Sequence, residues 1–137
     1  MKPATKAWVQ KAEGDFVVAE REFRARKLPN YDDTCFHVQQ CIEKYLKARL
    51  QEAGEPIPKI HDLSTLLDLV MHLEPLWEPF RTDLEKVSSY AVVFRYPGES
   101  ADKEDARAAL RKCRAIRRMI RESFGLKDPP KPRKKQR

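Results

Sequence analysis

Apolar residues recur along this chain at steps of three and four, without the alternation of a strand, and proline or glycine interrupts each run. From about Pro3 to Lys27, Trp8, Ala12, Phe16, Ala19 and Phe23 fall on one stripe, which predicts an amphipathic helix ended by Leu28-Pro29-Asn30. A second helix is expected to open at Asp32 or Asp33, either a good N-cap. Its face carries Cys35, Val38, Ile42, Tyr45, Leu46, Arg49, Leu50 and Ala53, and Gly54 is placed to end it. Pro56 and Pro58 prevent its continuation.

A shorter third helix runs from Asp62 to about Leu73 and crowds Leu63, Leu66, Leu67, Leu69 and Val70 into little more than two turns, so it should be covered on several sides. Pro75 and Pro79 bracket a turn. The fourth helix spans roughly Phe80 to Val93, with Phe80, Leu84, Val87 and Ala91 toward the core and Tyr90 at its edge. Residues 94–100 form a loop. The last helix starts near Ser100 or Asp102 and buries Ala106, Leu110, Cys113, Ile116, Ile120 and Phe124. The expectation is an all-α, antiparallel bundle of about five helices, four long and one short, over residues 1–124, followed by a disordered basic tail over 125–137.

Composition narrows the function classes. With 41% hydrophobic and 36% charged residues, the chain is neither collagen-like nor wholly disordered. No apolar run approaches the ~20 residues that a bilayer crossing requires, and Met1 to Asp15 lacks the unbroken apolar core of a secretory signal. A cytoplasmic protein is expected. Cys35, Cys41 and Cys113 form an odd set without C-x-x-C spacing, so they read as buried thiols rather than disulfides or zinc ligands. The net charge of +7 is concentrated at the end, since residues 125–137 carry +5 and residues 1–124 only +2.

The stretch Cys35-Phe36-His37-Val38-Gln39-Gln40-Cys41-Ile42-Glu43-Lys44-Tyr45-Leu46-Lys47-Ala48 resembles the second helix of HEPN domains. Ile60-His61-Asp62-Leu63 after a Pro-containing loop, Arg95-Tyr96-Pro97, and the Ala-rich segment Ala106 to Ala109 follow in the family's order. The resemblance covers about Ala7 to Phe124. It implies an antiparallel helical bundle, frequent homodimerisation, a proposed nucleotide-binding role and frequent pairing with a small nucleotidyltransferase. One departure is large. HEPN members that act as metal-independent ribonucleases carry an Arg followed, after four to six residues, by a His at a dimer cleft. Here His37, His61 and His72 all lie outside that spacing, and Arg95 is followed by Tyr-Pro-Gly-Glu-Ser-Ala. The family's cleavage motif is therefore absent from the linear sequence.

Several constellations remain as candidates for binding. Arg107, Arg111, Arg114, Arg118 and Arg121 follow steps of four and three on one side of the last helix, where guanidinium forks could follow phosphates or face water. Lys44 and Lys47 lie in a polar band with Gln39, Gln40 and Glu43, and Glu43 with Lys47 has the spacing of a helical ion pair. His61 precedes the cap residue Asp62 and has a structural reading, holding the preceding loop, as well as a binding one. Arg95 and Tyr96 occupy a loop and are the first choice for a nucleotide or nucleic-acid contact. His37 and Cys41 share a helical face, but a closed metal site needs more ligands, so neither metal nor cofactor is assigned.

These features point to a dimeric binding protein without catalysis of its own, partnered by a nucleotidyltransferase and binding a nucleotide or RNA. The alternatives are a toxin-like, metal-independent ribonuclease in which Arg95 works with His61, and a scaffold that only dimerises.

Overall fold

The computed structural model describes residues 1–127. Five α-helices and one 3₁₀ turn account for most of them: α1 Pro3–Arg24, α2 Tyr31–Glu52, α3 Leu63–Val70, the 3₁₀ segment Pro75–Phe80, α4 Arg81–Val93 and α5 Lys103–Ser123. No strand occurs among the described residues, as the periodicity predicts.

The element ends show which side chains win the exposed backbone groups. α2 is capped by Asn30, whose side chain accepts from the Asp33 N–H at 2.9 Å, and not by Asp32 or Asp33. Both carboxylates sit instead in the first turn, where they meet the positive end of the helix dipole. Asp62 caps α3 as expected, and Asp102 opens α5 in a capping box with Asp105. Gly54 and Gly125, with φ of +73° and +71°, supply the left-handed residue that lets the chain fold back and satisfy the last carbonyls of α2 and α5. α1 ends at Arg24 rather than Lys27, and α3 at Val70 rather than Leu73. The expected turn at Pro75 and Pro79 is a 3₁₀ helix, because Pro79 cannot donate to an α ladder while Trp77 is anchored in the core.

α2 is the axis of the bundle. α1 runs antiparallel to it, as Thr5 meets Glu52, and Asp15 meets His37. α4 brings the following Arg95 back to Phe36, and α5 runs alongside α2 in the same direction, with Asp32 accepting from the Ala101 N–H and Tyr45 touching Arg121. Cys41, Ile42, Tyr45, Leu46 and Leu50 of α2 are fully buried against Leu66 and Leu67 of α3, Leu84 of α4, and Leu110, Cys113, Ile116 and Ile120 of α5. A side chain of that size contributes about 1.5 to 3 kcal/mol on full burial, so α2 carries a large share of the hydrophobic stabilisation.

Gly125 to Lys127 close onto the bundle, with Leu126 packed on the core and the Lys127 carbonyl accepting from Arg121 at 2.7 Å. The rest of the predicted tail, residues 128–137, lies outside the described residues.

Candidate ligand cleft

Glu43 stands one helical turn beyond Gln39 on α2 and is only 4% exposed. A buried carboxylate needs donors, and three converge on it. Lys47 reaches Oε2 at 3.2 Å, the Gln39 amide reaches Oε1 at 3.1 Å, and His61 Nδ1 lies 3.0 Å from Oε1. Gln39 also donates to the His61 carbonyl at 2.8 Å, so the histidine is tied by both backbone and side chain. Because a carboxylate only accepts, the arrangement places the proton of a neutral imidazole on Nδ1 and leaves Nε2 with its lone pair. The imidazole is 78% exposed, and it stands at the wall of a cleft of about 350 Å³.

The opposite wall is built by α4 and the loop after it. Ser88, Ala91 and Val92 form the floor, and Arg95 closes the side, its guanidinium 4.7 Å from the centroid of Phe36. Gln40 and Asp62 complete the lining. Ser88 is held by accepting from the Leu63 N–H at 3.2 Å, and Asp62 by the Thr65 backbone and hydroxyl. Among the described residues no carboxylate lies within ion-pair distance of Arg95. A second, shallower cleft of about 320 Å³ lies on the other side of Arg95, between Phe36, Tyr90, Phe94, Asn30, Asp32 and Asp33.

Sequence reasoning placed Arg95 and His61 among the candidates, and the fold brings them into one cleft. It does not bring Tyr96 there, since that ring is 65% exposed and lines neither cleft. The two lysines are already engaged. Lys44 pairs with Asp15, which also accepts from His37 at 2.8 Å, and Lys47 is a buried partner of Glu43 with its ammonium 5.9 Å from the Trp8 ring. The polar band of α2 is therefore in part an internal ion-pair network, and the Glu43–Lys47 pair that its spacing suggests does form.

The arginine stripe divides in the same way. Arg107 pairs with Glu104 and lies over Phe23, and Arg114 pairs with Glu20 at 3.0 Å. Arg111 and Arg118 are exposed. Arg121, expected beside them, is buried: it donates to the Tyr45 hydroxyl at 3.2 Å and leaves its own Nε without a hydrogen-bond partner among the described residues. Arg117, absent from the sequence candidates, is buried too and grips Glu13 through two hydrogen bonds of 2.7 and 2.5 Å. Its position four residues after Cys113, on the apolar face, was the signal that could have found it. Burial alone would push the Glu13 carboxyl up, but hydrogen bonds from Arg117 and Tyr45 and the charges of both guanidiniums outweigh it and hold the group below the usual carboxylate range.

No group of three or more His, Cys, Asp or Glu side chains suited to a metal occurs among the described residues. No helix among them is long and apolar enough to cross a membrane.

Known proteins resemble the chain along nearly its whole length. A protein of Methanocaldococcus jannaschii named a putative toxin is 29% identical over 143 aligned positions, spanning 89% of this chain and 91% of the relative. The crystal structure of a Thermus thermophilus protein superposes with a TM-score of 0.76 over 88% of this chain and 98% of the other, at 19% identity, which speaks for the fold alone. The HEPN domain matches residues 5–123, from the first turn of α1 to the last residue of α5, and the chain belongs to the HEPN domain family.

Proposed function

We propose that this HEPN protein acts by binding a phosphate-bearing ligand, a nucleotide or RNA, in the Arg95–His61 cleft, as a dimer partnered by a small nucleotidyltransferase. The observation that carries the reading is Arg95 itself. Most cations of the sequence candidates are neutralised by a neighbouring acid, whereas this guanidinium lies over Phe36 without one among the described residues and borders a cleft with an exposed imidazole and the Gln40 amide. A phosphate there would meet a preorganised fork and an amide donor. The nucleotidyltransferase partner and the dimer rest on family membership.

Binding of labelled single-stranded RNA and of nucleoside monophosphates, followed by fluorescence anisotropy, tests the reading. Arg95→Ala is expected to weaken binding by about tenfold or more and to lower the salt slope by about one, while Arg111→Ala, at an exposed position outside the cleft lining, changes it little. Equal binding by the Arg95→Ala variant would remove the cleft as the site. A second reading, a toxin-like ribonuclease, is favoured by the one fact that His61 and Arg95 line the same cleft.

A further inference from the structure

We infer that the second cleft, on the other side of Arg95, receives the base of the nucleotide, and that the base it selects is guanine. The inference rests on the phosphate contact proposed for Arg95 and names the class of ligand that this contact holds.

The two clefts share a wall. Phe36, Ala91 and Arg95 line both, so a ligand whose phosphate meets the guanidinium on the His61 side can pass its base over that wall. The receiving side has a different chemistry. Tyr90, near the end of α4, and Phe94, just after it, stack with ring centroids 5.5 Å apart and planes 23° from parallel, and Phe36 adds a third ring to the lining. A space of about 320 Å³ walled by three rings suits a flat aromatic ligand. Stacking alone tolerates every base.

Selection comes from the polar side, which the start of α2 supplies. Asn30 Oδ1 is occupied, since it accepts from the Asp33 N–H at 2.9 Å, and the N–H donors of the same amide have no partner among the described residues. Asp32 is committed to the fold, because it accepts from the Ala101 N–H at 2.6 Å and ties α2 to the approach of α5. Asp33 is not. Its side chain is 35% exposed, and His37 Nε2, 3.4 Å from Oδ1, braces it without using up its lone pairs. The cleft therefore offers a carboxylate with spare acceptor capacity and, joined to it through the cap, an amide donor.

Guanine fits this pair. Its N1–H and 2-amino group are two parallel donors for one carboxylate, and O6 beside them accepts from an amide. Adenine and cytosine each set a single amino group next to a ring nitrogen lone pair, and uracil sets one N–H between two carbonyl oxygens. Any of these three puts a lone pair against the carboxylate, and a site built around hydrogen bonds rejects a ligand that leaves them unmade.

The test uses the full chain and the monophosphates of guanosine, inosine, adenosine, uridine and xanthosine, competing against a labelled guanosine nucleotide in fluorescence anisotropy. Wild type is expected to bind the guanosine nucleotide about tenfold or more tighter than the adenosine and uridine ones, and to lose most of that margin with inosine, which lacks the 2-amino group. Asp33→Asn removes the preference and improves binding of the xanthosine nucleotide, whose N1–H and O2 match the acceptor and donor of an amide. A merely structural role for Asp33 would not give that gain. Should Asp33→Asn melt far below wild type, Asp33→Glu, which keeps the charge but moves the carboxylate by one methylene, is expected to lose the same preference. Arg95→Ala weakens all five ligands alike and keeps their order. Equal binding of the five by wild type, lost in Arg95→Ala, would overturn the guanine reading and leave the phosphate contact standing. A guanine preference that survives both changes at Asp33 would overturn the placement of the base. Failure of wild type to bind any of them would overturn this inference and the phosphate contact together.

Discussion

Replacing Glu13 by alanine removes a carboxylate that two largely buried guanidiniums share. Arg117 and Arg121 have side chains 9% and 10% exposed, and Glu13 accepts from Arg117 at 2.7 and 2.5 Å and from the Tyr45 hydroxyl at 2.6 Å. Breaking a buried ion pair on one side costs about 3 to 5 kcal/mol. Glu13 keeps 27% of its side chain in contact with solvent, which screens the pair and brings the expectation to about 2 to 3 kcal/mol. At roughly 2.1 cal/mol/K of unfolding entropy per residue, a domain of this size should melt about 8 to 11 °C lower. Calorimetry of Glu13→Ala beside Arg114→Ala checks the number, because the Arg114–Glu20 pair is solvent-facing and should cost under about 1 kcal/mol. The pH dependence adds a sign. A carboxyl depressed in the folded state contributes fully above its unfolded value, near 4.5, and loses that contribution as pH falls through the folded value. The gap between wild type and Glu13→Gln should therefore be constant above about pH 5 and narrow below pH 4.5. Equal melting of Glu13→Ala and Arg114→Ala would refute the claim that this pair is a buried electrostatic anchor.

Other outcomes follow from separate parts of the molecule. Burial, followed by Asp105, Asp32 and Asp102, pushes the Cys35 thiol up to about 12, and burial with the adjacent Cys113 thiol raises Cys41 as well. With all three cysteines buried, Ellman's reagent should find none in the native protein and three in denaturant; a fast-reacting native thiol would contradict the packing. Leu28 is 96% exposed at φ +48°, so Leu28→Gly trades a strained left-handed residue for a permissive one. It should raise the melting temperature by about 1 to 3 °C, and a drop would mean that Leu28 is held by a contact. Deleting residues 128–137 removes five basic groups and one acid, so the salt slope of RNA binding should fall by up to about four if the tail takes part and stay unchanged if the cleft binds alone.

The helices, their order and most of their buried faces were legible in the sequence because each depends on local spacing and on where proline and glycine stop the ladder. Ala12, Ile42, Leu66, Leu84 and Ile120 fall inside as their periodicity requires. The caps were read less well: Asn30 displaced Asp32 and Asp33 because a cap is chosen by side-chain reach, which composition does not reveal. Among the site candidates, Arg95 and His61 were visible as residue types in loops. Their meeting was raised only as one alternative, since 34 positions separate them in the chain and it is the return of α4 along α2 that closes that distance. Tertiary structure also decided the fate of the charges. Lys47 and Arg121 lie beside the polar bands of their helices, yet Glu43, Glu13 and Tyr45 hold them inside, while Arg95 is left without an acid among the described residues. Periodicity reports the direction of a side chain from its own helix axis; whether a counter-charge waits there depends on the neighbouring helix, and that is set by packing.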